Sequence, residues 1–377
     1  MSSPNYFIGL MSGTSMDGID CVLVDFASTR PTLVATHTEE IPAPLREQIL
    51  QLCNAGSINL PQLGETDVAL GRVFGHAVNS LLRKQQLAPE AITAIGSHGQ
   101  TVWHQPTGKA PFSLQIADPN TIAEVTNIST VADFRRKDMA AGGQGAPLAP
   151  LFHQHYFSNS SHRRAVLNTG GIANITLLAH GEEFPIQGFD TGPANVLMDL
   201  WIAQHKKVGF DKDGQWARSG KLVPELLNSF LSEPYFQQTP PKSTGRELFN
   251  QQWLNKHLQP FSKLKAEDVQ ATLLELSARS IAQSVDWEAQ QIAELIVCGG
   301  GAYNSALMER LEQLIPSCDI KSSAALGLKP EWVEGVAFAW FAAKTWNRET
   351  INTPPVTGAR HPCLLGGIYY SENFASK

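Results

Sequence analysis

The chain has 377 residues, 42% of them hydrophobic and 17% charged, with a formal net charge of −6. That length predicts two or three domains, each large enough for its own core. The negative balance, with no basic cluster longer than Arg135-Arg136-Lys137, argues against general nucleic-acid binding, and no apolar run approaches the roughly 18 residues of a membrane span.

The first five residues carry no basic charge and lead straight into an apolar segment. This pattern argues against a secretory signal, and a cytoplasmic location is expected. Five cysteines, Cys21, Cys53, Cys298, Cys318 and Cys363, are odd in number, widely spaced and without a C-x-x-C pair. Neither a disulfide framework nor a zinc site is expected, and buried thiols in a reducing compartment fit.

Segments 5–12, 19–26 and 31–38 read as three consecutive strands. The first two flank Gly9-Leu10-Met11-Ser12-Gly13-Thr14-Ser15-Met16-Asp17-Gly18-Ile19-Asp20, which is therefore the bend of a β-hairpin. Backbone N–H groups and hydroxyls gathered in such a bend suit an anion such as phosphate, and the carboxylates of Asp17 and Asp20 could hold a hydrated Mg²⁺ beside it. The bend lacks the following helix and the Gly-Lys-Ser/Thr ending of a P-loop. Gly, Ser and Asp equally suit an ordinary tight turn.

Helices are expected at 43–53 and 61–84. A short strand, Ala94-Ile95-Gly96, delivers Ser97-His98-Gly99-Gln100, and strands follow at 112–116 and 128–132. A charged stretch, Asp133–Asp138, and a glycine-rich passage, Ala140–Pro147, mark the crossing between domains. The predicted division is 1–134 and 135–354, with 355–377 packing back on the first domain.

The second half opens as the first does, with a strand Arg164–Asn168, a turn Thr169-Gly170-Gly171, a strand Ile172–Leu178, and a third strand ending at Phe189. This is a weak internal repeat. Helices are expected at about 194–206, 221–231, 246–257 and 266–285. Prolines at 234, 240 and 241 make 232–245 a surface loop. The strand Glu294–Cys298 runs into Gly299-Gly300-Gly301-Ala302 and a helix from about Asn304. A long helix is expected over 330–346, and a final apolar segment runs from Cys363 to Tyr370. Strands mixed with helices throughout predict an α/β protein. His153 and His155, two apart, diverge on a helix and read as structural rather than as metal ligands.

Four stretches carry a resemblance. They are Met11–Gly18, Asn168–Thr176 (NTGGIANIT), Gly188–Asn195 (GFDTGPAN) and Cys298–Ala302 (CGGGA), supported by Gly96–His104 and by Val131–Arg135 with Gly142–Pro147. In this order and spacing the chain resembles the anhydro-N-acetylmuramic acid kinase family, from about residue 6 to about residue 370. The resemblance implies the fold of the sugar-kinase, Hsp70 and actin superfamily, in which two ribonuclease-H-like α/β domains flank a central ATP and substrate cleft. It implies an enzyme that uses ATP and Mg²⁺, opens 1,6-anhydro-N-acetylmuramic acid hydrolytically and phosphorylates O6. The products are N-acetylmuramic acid 6-phosphate, from cell-wall peptidoglycan recycling, and ADP. It also implies a small-molecule substrate, no nucleic acid or membrane partner, and a homodimer. Two other readings are another sugar or carboxylate kinase of the superfamily and a nucleotide-gated binding protein. For the latter, the 43 residues after Glu334 leave too little chain for a peptide-binding domain.

Matched residue by residue, Asp190 is the expected catalytic base and also touches substrate. As an ordinary carboxylate it would already be ionised at neutral pH. On local sequence it could instead cap a turn by accepting from the Gly192 N–H. Gly13, Thr14, Ser15, Met16, Asp17, Gly18, Ile19 and Asp20 match the first ATP loop, with Asp17 as the metal-positioning residue. Asp20 could instead tie the hairpin. Gly170 and Gly171 match the second phosphate loop, although on local sequence they serve equally as a plain β-turn. Gly299, Gly300 and Gly301 match the nucleotide glycine turn. His98, Arg135 and Glu334 are the expected sugar contacts, with Arg135 gripping the lactyl carboxylate in bidentate fashion. A salt bridge from Arg135 to Asp133 or Asp138, and an exposed helix position for Glu334, are the plainer alternatives.

Overall fold

The computed structural model describes residues 3–13, 16, 18–54, 57–285 and 291–372. The chain divides into two units, the first made of Met1–Phe152 with Trp332–Lys377 and the second of His153–Glu331.

The first unit opens with β1 (Tyr6–Met11), β2 (Ile19–Asp25) and β3 (Thr32–Glu39), followed by α1 (Ala43–Asn54), α2 (Leu60–Gln85) and β4 (Ile92–Ser97). A two-stranded ribbon, β5 (Gln100–Gln105) and β6 (Phe112–Ile116), leads to α3 (Pro119–Thr126), β7 (Thr130–Ala132) and α4 (Phe134–Ala140). Helix α5 (Ala149–Phe157) carries the chain into the second unit. There follow β8 (Arg164–Thr169), β9 (Ile172–Leu177), β10 (Gln187–Pro193), α6 (Val196–Lys206), α7 (Gln215–Ser219), α8 (Pro224–Leu231), α9 (Gln251–Leu258) and α10 (Ala266–Val285). β11 (Glu294–Cys298), α11 (Ser305–Leu314) and β12 (Asp319–Ser322) complete that unit. The chain then returns to the first unit with α12 (Val333–Trp346), α13 (Pro354–Thr357) and β13 (Gly367–Tyr369).

The first sheet has the order β13-β7-β4-β1-β2-β3 and the second β12-β11-β8-β9-β10. In each, three antiparallel strands come first in sequence and two parallel strands are added beside the first of them. Both sheets therefore share the order 3-2-1-4-5, the ribonuclease-H-like arrangement. The weak repeat of strand, glycine turn and strand extends to five strands. Phe7, Ile8 and Leu10 of β1 and Leu295, Ile296 and Val297 of β11 are fully buried. Such central strands lose both faces to the core and read as continuous apolar runs.

Helix α12 explains why the unit boundaries differ from the expected 134/135 and 354/355. It lies so close to the first sheet that a Cβ on Gly9 would come within 1.9 Å of the Gly335 carbonyl oxygen, and one on Gly96 within 2.1 Å of the Phe338 carbonyl oxygen. Only glycine permits that approach of helix to strand backbone. Residues 135–152 and 332–354 thus belong with the first sheet, and β13 pairs antiparallel with β7. In the second unit α10 serves two clusters. Ala278, Ile281 and Val285 pack on the sheet, while Val269, Leu273 and Leu276 pack among α6, α8 and α9.

The structure adds β5, β12, α3, α4, α5, α7 and α13 to the expected elements. The signal for α3 was present, because Asp118 caps it by accepting from the N–H groups of Asn120 and Thr121, with Pro119 in the first turn. Helix α9 begins at Gln251, later than expected, since the Asn250 side chain accepts from the N–H groups of Gln252 and Trp253 and fixes the start there.

Candidate active site

In the first unit, β1 and β2 are joined by the expected hairpin bend, with Met11 opposite Asp20. Thr14, Ser15 and Asp17 lie outside the described residues. Of the remainder, the Gly13 carbonyl accepts from the Met16 N–H at 3.1 Å. Ile19 is fully buried and Met16 nearly so, both in the core of this unit. Their side chains hold the bend to the sheet, so at these two positions only backbone can meet a ligand. Asp20 accepts a hydrogen bond from the Thr38 hydroxyl at 3.1 Å, so it does tie the hairpin to β3.

The structure brings His98, Arg135 and Glu334 together. His98 follows β4, Arg135 stands in α4, and Glu334 opens α12, the helix held down by Gly9 and Gly96. The Arg135 Nε–H donates to His98 Nε2 at 3.0 Å, and Arg135 Nη1 donates to the Gly145 carbonyl at 2.9 Å. His98 Nδ1 lies 2.9 Å from the Gly99 carbonyl. A carbonyl only accepts, so Nδ1 carries the proton and Nε2 is the acceptor. Burial, reinforced by the Arg135 guanidinium, holds His98 well below the ordinary imidazole range and keeps it neutral. Burial also lowers Arg135 to about 10, against the pull of Glu334 and Asp138. Glu334 is raised by burial and by Asp20, with Arg135 opposing. Arg135 forms neither of the alternative salt bridges, to Asp133 or Asp138; it is Arg136 that meets Asp133, at 3.4 Å. Asp138 instead binds the glycine-rich loop, accepting from the Gly145 N–H at 2.8 Å and the Thr357 hydroxyl at 2.7 Å. Glu334 is half-buried rather than exposed.

In the second unit, Asp190 lies inside β10, which runs on to Pro193 rather than ending at Phe189. The expected turn is a strand with a bulge. Asp190 pairs with Asn174 and Gly192 with Ala173, leaving Thr191 as the extra residue. The proposed cap on the Gly192 N–H is replaced by other partners. Oδ2 accepts from the Thr244 N–H at 2.9 Å and the Ser243 hydroxyl at 3.1 Å, and Oδ1 accepts from the Asn174 side-chain amide. Burial raises the carboxyl above the ordinary value of 3.8, with Glu247 adding to the rise and those three bonds opposing it. Its ionisation is therefore tuned by its surroundings, not that of an ordinary aspartate. A carboxylate offers about four acceptor positions, so these three bonds leave one on Asp190.

Gly170 and Gly171 form the bend between β8 and β9. The Gly171 carbonyl accepts from the N–H groups of Ala194 and Val196, and the Gly170 carbonyl accepts from the Asn195 N–H at 3.1 Å. The Asn195 side-chain amide donates to the carbonyls of Thr169 and Gly170 at 3.0 and 2.8 Å. Asp190 stands opposite Asn174, two residues along β9 from Ile172, roughly 7 Å at the rise of a strand.

Asn195 also lines a cavity of about 550 Å³, together with Phe210, Lys212, Gly300, Tyr303 and Asn304. Pockets of this size suit a nucleoside-sized ligand. The three glycines of the nucleotide turn divide by role. A Cβ on Gly299 would come within 2.4 Å of Asn168 Oδ1, and one on Gly301 within 2.7 Å of Thr169 Cβ, whereas Gly300 faces open space. Phe210 and Tyr303 were not anticipated. Their signal is exposure, 65% and 54%, unusual for large aromatics.

His153 is buried, bonded to the Thr176 hydroxyl at 2.8 Å and lowered by burial to about 3, and none of the five cysteines forms a disulfide. Among the described residues no helix is long and apolar enough to cross a membrane, and no group of three or more side chains is arranged to hold a metal ion.

A family model described as anhydro-N-acetylmuramic acid kinase matches residues 5–371. The chain belongs to the anhydro-N-acetylmuramic acid kinase family. Relatives carrying that name include one from Shewanella sp. (strain ANA-3), 54% identical over 367 residues, covering 97% of this chain and 99% of the relative. The relative from Shewanella denitrificans is 53% identical over 372 residues, covering 99% and 100%. Membership of the anhydro-N-acetylmuramic acid kinase family spans both units. It does not favour the alternative sugar kinases or the nucleotide-gated binding protein.

Proposed function

We propose that this chain is a kinase that uses ATP and water to convert 1,6-anhydro-N-acetylmuramic acid to N-acetylmuramic acid 6-phosphate and ADP. The observation that carries this reading is the continuity of the second unit's site. One residue, Asn195, fastens the Gly170–Gly171 bend and lines the nucleoside-sized cavity, and Asp190 sits two strand residues from that bend.

Asp190 accepts a proton from a water as its oxygen attacks C1 of the sugar. The C1–O6 bond breaks, the water oxygen becomes the C1 hydroxyl, and O6 takes the γ-phosphoryl group while ADP leaves. The Thr244 N–H and the side chains of Asn174 and Ser243 hold the carboxylate in position. Backbone N–H groups at the two glycine bends receive the phosphates, since phosphoryl transfer depends mainly on positioning and charge stabilisation. Mg²⁺ suits this site as an ion held chiefly by phosphates and water with one or two carboxylates, Asp17 and Asp20 being the candidates, rather than in an all-protein cage. When bound it supplies neutralisation of phosphate charge. In the first unit, Arg135 grips the lactyl carboxylate and Glu334 hydrogen-bonds the sugar, while neutral His98, its two ring nitrogens engaged by Gly99 and Arg135, orients the guanidinium rather than bonding the sugar. The reading includes a homodimer working in the cytoplasm, checked by light scattering on the purified protein and by cell fractionation.

The test is ADP release from the purified enzyme across a panel of sugars. The anhydro sugar acid should support turnover. The ring-opened sugar should be poor, because it lacks the bond whose cleavage frees O6. Equal turnover of both sugars, or of simple hexoses, would overturn the reading.

A further inference from the structure

Beside His98, wholly within the first unit, lies a second cavity of about 210 Å³. Its walls come from the end of β4 (Ser97), the end of β6 and the loop after it (Gln115–Asp118), Asp67 of α2, and Asp133. Two of these residues carry buried polar atoms with no hydrogen-bond partner among the described residues, Ser97 Oγ and Gln115 Oε1. Ser97 is 1% exposed. Buried polar atoms are nearly always bonded, so two orphans lining one cavity require an explanation.

The remaining polar groups define what would satisfy them. Asp67 Oδ1 accepts from the Ala117 N–H at 2.8 Å, and burial raises its carboxyl, with the Asp118 and Asp133 charges adding to the rise and the backbone N–H groups of Ala117 and Asp118 opposing it. Asp118 is engaged as the cap of α3. Asp133 accepts from the Tyr369 hydroxyl at 2.7 Å and from Arg136 at 3.4 Å. What remains is mostly acceptors: the spare lone pairs of the Asp67 carboxylate, Gln115 Oε1 and the Ser97 hydroxyl. Three carboxylates against the single Arg136 guanidinium, which is paired with Asp133, leave the lining net negative and disfavour an anion, and the described residues hold no cluster suited to a metal ion. A neutral group with O–H or N–H donors fits best.

We propose that this cavity is a specificity pocket that reads the hydrogen-bond-donating face of the sugar, its hydroxyl or acetamido N–H groups, through Ser97, Gln115 and Asp67. The assignment rests on the sugar reading of the His98–Arg135–Glu334 cluster, since His98 also lines this cavity. The two neighbouring environments then divide the substrate by charge. Arg135 takes the carboxylate, and the acceptor-rich cavity takes the neutral donors and excludes the carboxylate.

Ser97→Ala is the direct test, because Oγ has no protein partner to lose and its removal should leave the melting temperature unchanged or raised. The Michaelis constant for the anhydro sugar should rise roughly two- to tenfold, the worth of one hydrogen bond, with kcat and the constant for ATP unchanged. Asp67→Asn keeps an oxygen for the Ala117 N–H while replacing an acceptor with a donor, and should move the same constant in the same direction. If the sugar constant stays put in both variants while Arg135→Ala raises it, the cavity holds only water and the proposal is overturned, with the kinase reading intact. A fall in kcat at constant KM assigns Ser97 a structural role and also overturns it. A wild-type enzyme that does not phosphorylate the anhydro sugar removes both readings together.

Discussion

Asp190 is held by three donors from two places, Asn174 on the neighbouring strand and Ser243 and Thr244 from the proline-bearing loop. Asp190→Asn removes the proton acceptor while keeping the side chain's size, so kcat should fall by about 10²–10⁴-fold, the usual worth of a positioned base. Near-normal turnover would exclude Asp190 from the proton transfer. The pH profile should carry a matching signature. The base acts only when ionised, and its pKa is raised above 3.8. The acid limb of kcat/KM should therefore lie above the ordinary aspartate range and be absent from the residual activity of Asp190→Asn. Arg135→Ala should raise KM for the sugar more than KM for ATP, and the reverse pattern would move Arg135 to the phosphates. Asp190 and Arg135 were both candidates on the sequence. Their partners were not, because Ser243 and Thr244 lie 53 and 54 residues beyond Asp190 in a segment with no periodic pattern, and only folding brings them there.

Glycines that look alike in sequence act differently in the elements they join. Gly96 lets α12 rest on the strand backbone of β4, so Gly96→Ala should cost at least about 1–3 kcal/mol, as overpacking typically does, and denaturant unfolding would measure it. In the nucleotide turn, Gly299 and Gly301 are pressed against Asn168 and Thr169, while Gly300 faces open space beside the larger cavity. Gly301→Ala should therefore lower the melting temperature. Gly300→Ala should leave it nearly unchanged and raise KM for ATP instead, and equal melting losses in both variants would refute this division. The run Gly299-Gly300-Gly301 marked the turn in the sequence. Which glycine packs and which faces a ligand depends on where β8 lies, and the run itself does not specify that.

Each unit of the molecule is built on the same five-strand order, but they are fastened differently. The second sheet is tied across its three parallel strands by Glu294 of β11, which accepts from His162 at 2.7 Å, from Arg164, and from Lys321 at 2.8 Å. Burial alone would raise Glu294, but these bonds outweigh it and hold it at about 2. Because its folded pKa lies below the ordinary glutamate value, its stabilisation is complete above about pH 4.5 and is lost as the pH falls toward 2. Glu294→Gln should lower the melting temperature at neutral pH and flatten its decline between about pH 4.5 and 2. An unchanged acid profile would show that the cluster adds nothing to stability. No local pattern in the sequence marks this cluster, because its members are scattered from residue 162 to residue 321.

Taken alone, the amino-acid order determined the α/β class, both hairpin bends, the long helix over 266–285 and the family's four motifs, because each rests on local periodicity, turn chemistry or contiguous residues. The tertiary structure decided which unit owns α12, how far β10 runs, which donors surround Asp190, and that Ser97 and Gln115 border a common cavity. Those outcomes depend on close approach between segments distant in sequence, where steric fit and hydrogen-bond satisfaction select the neighbours.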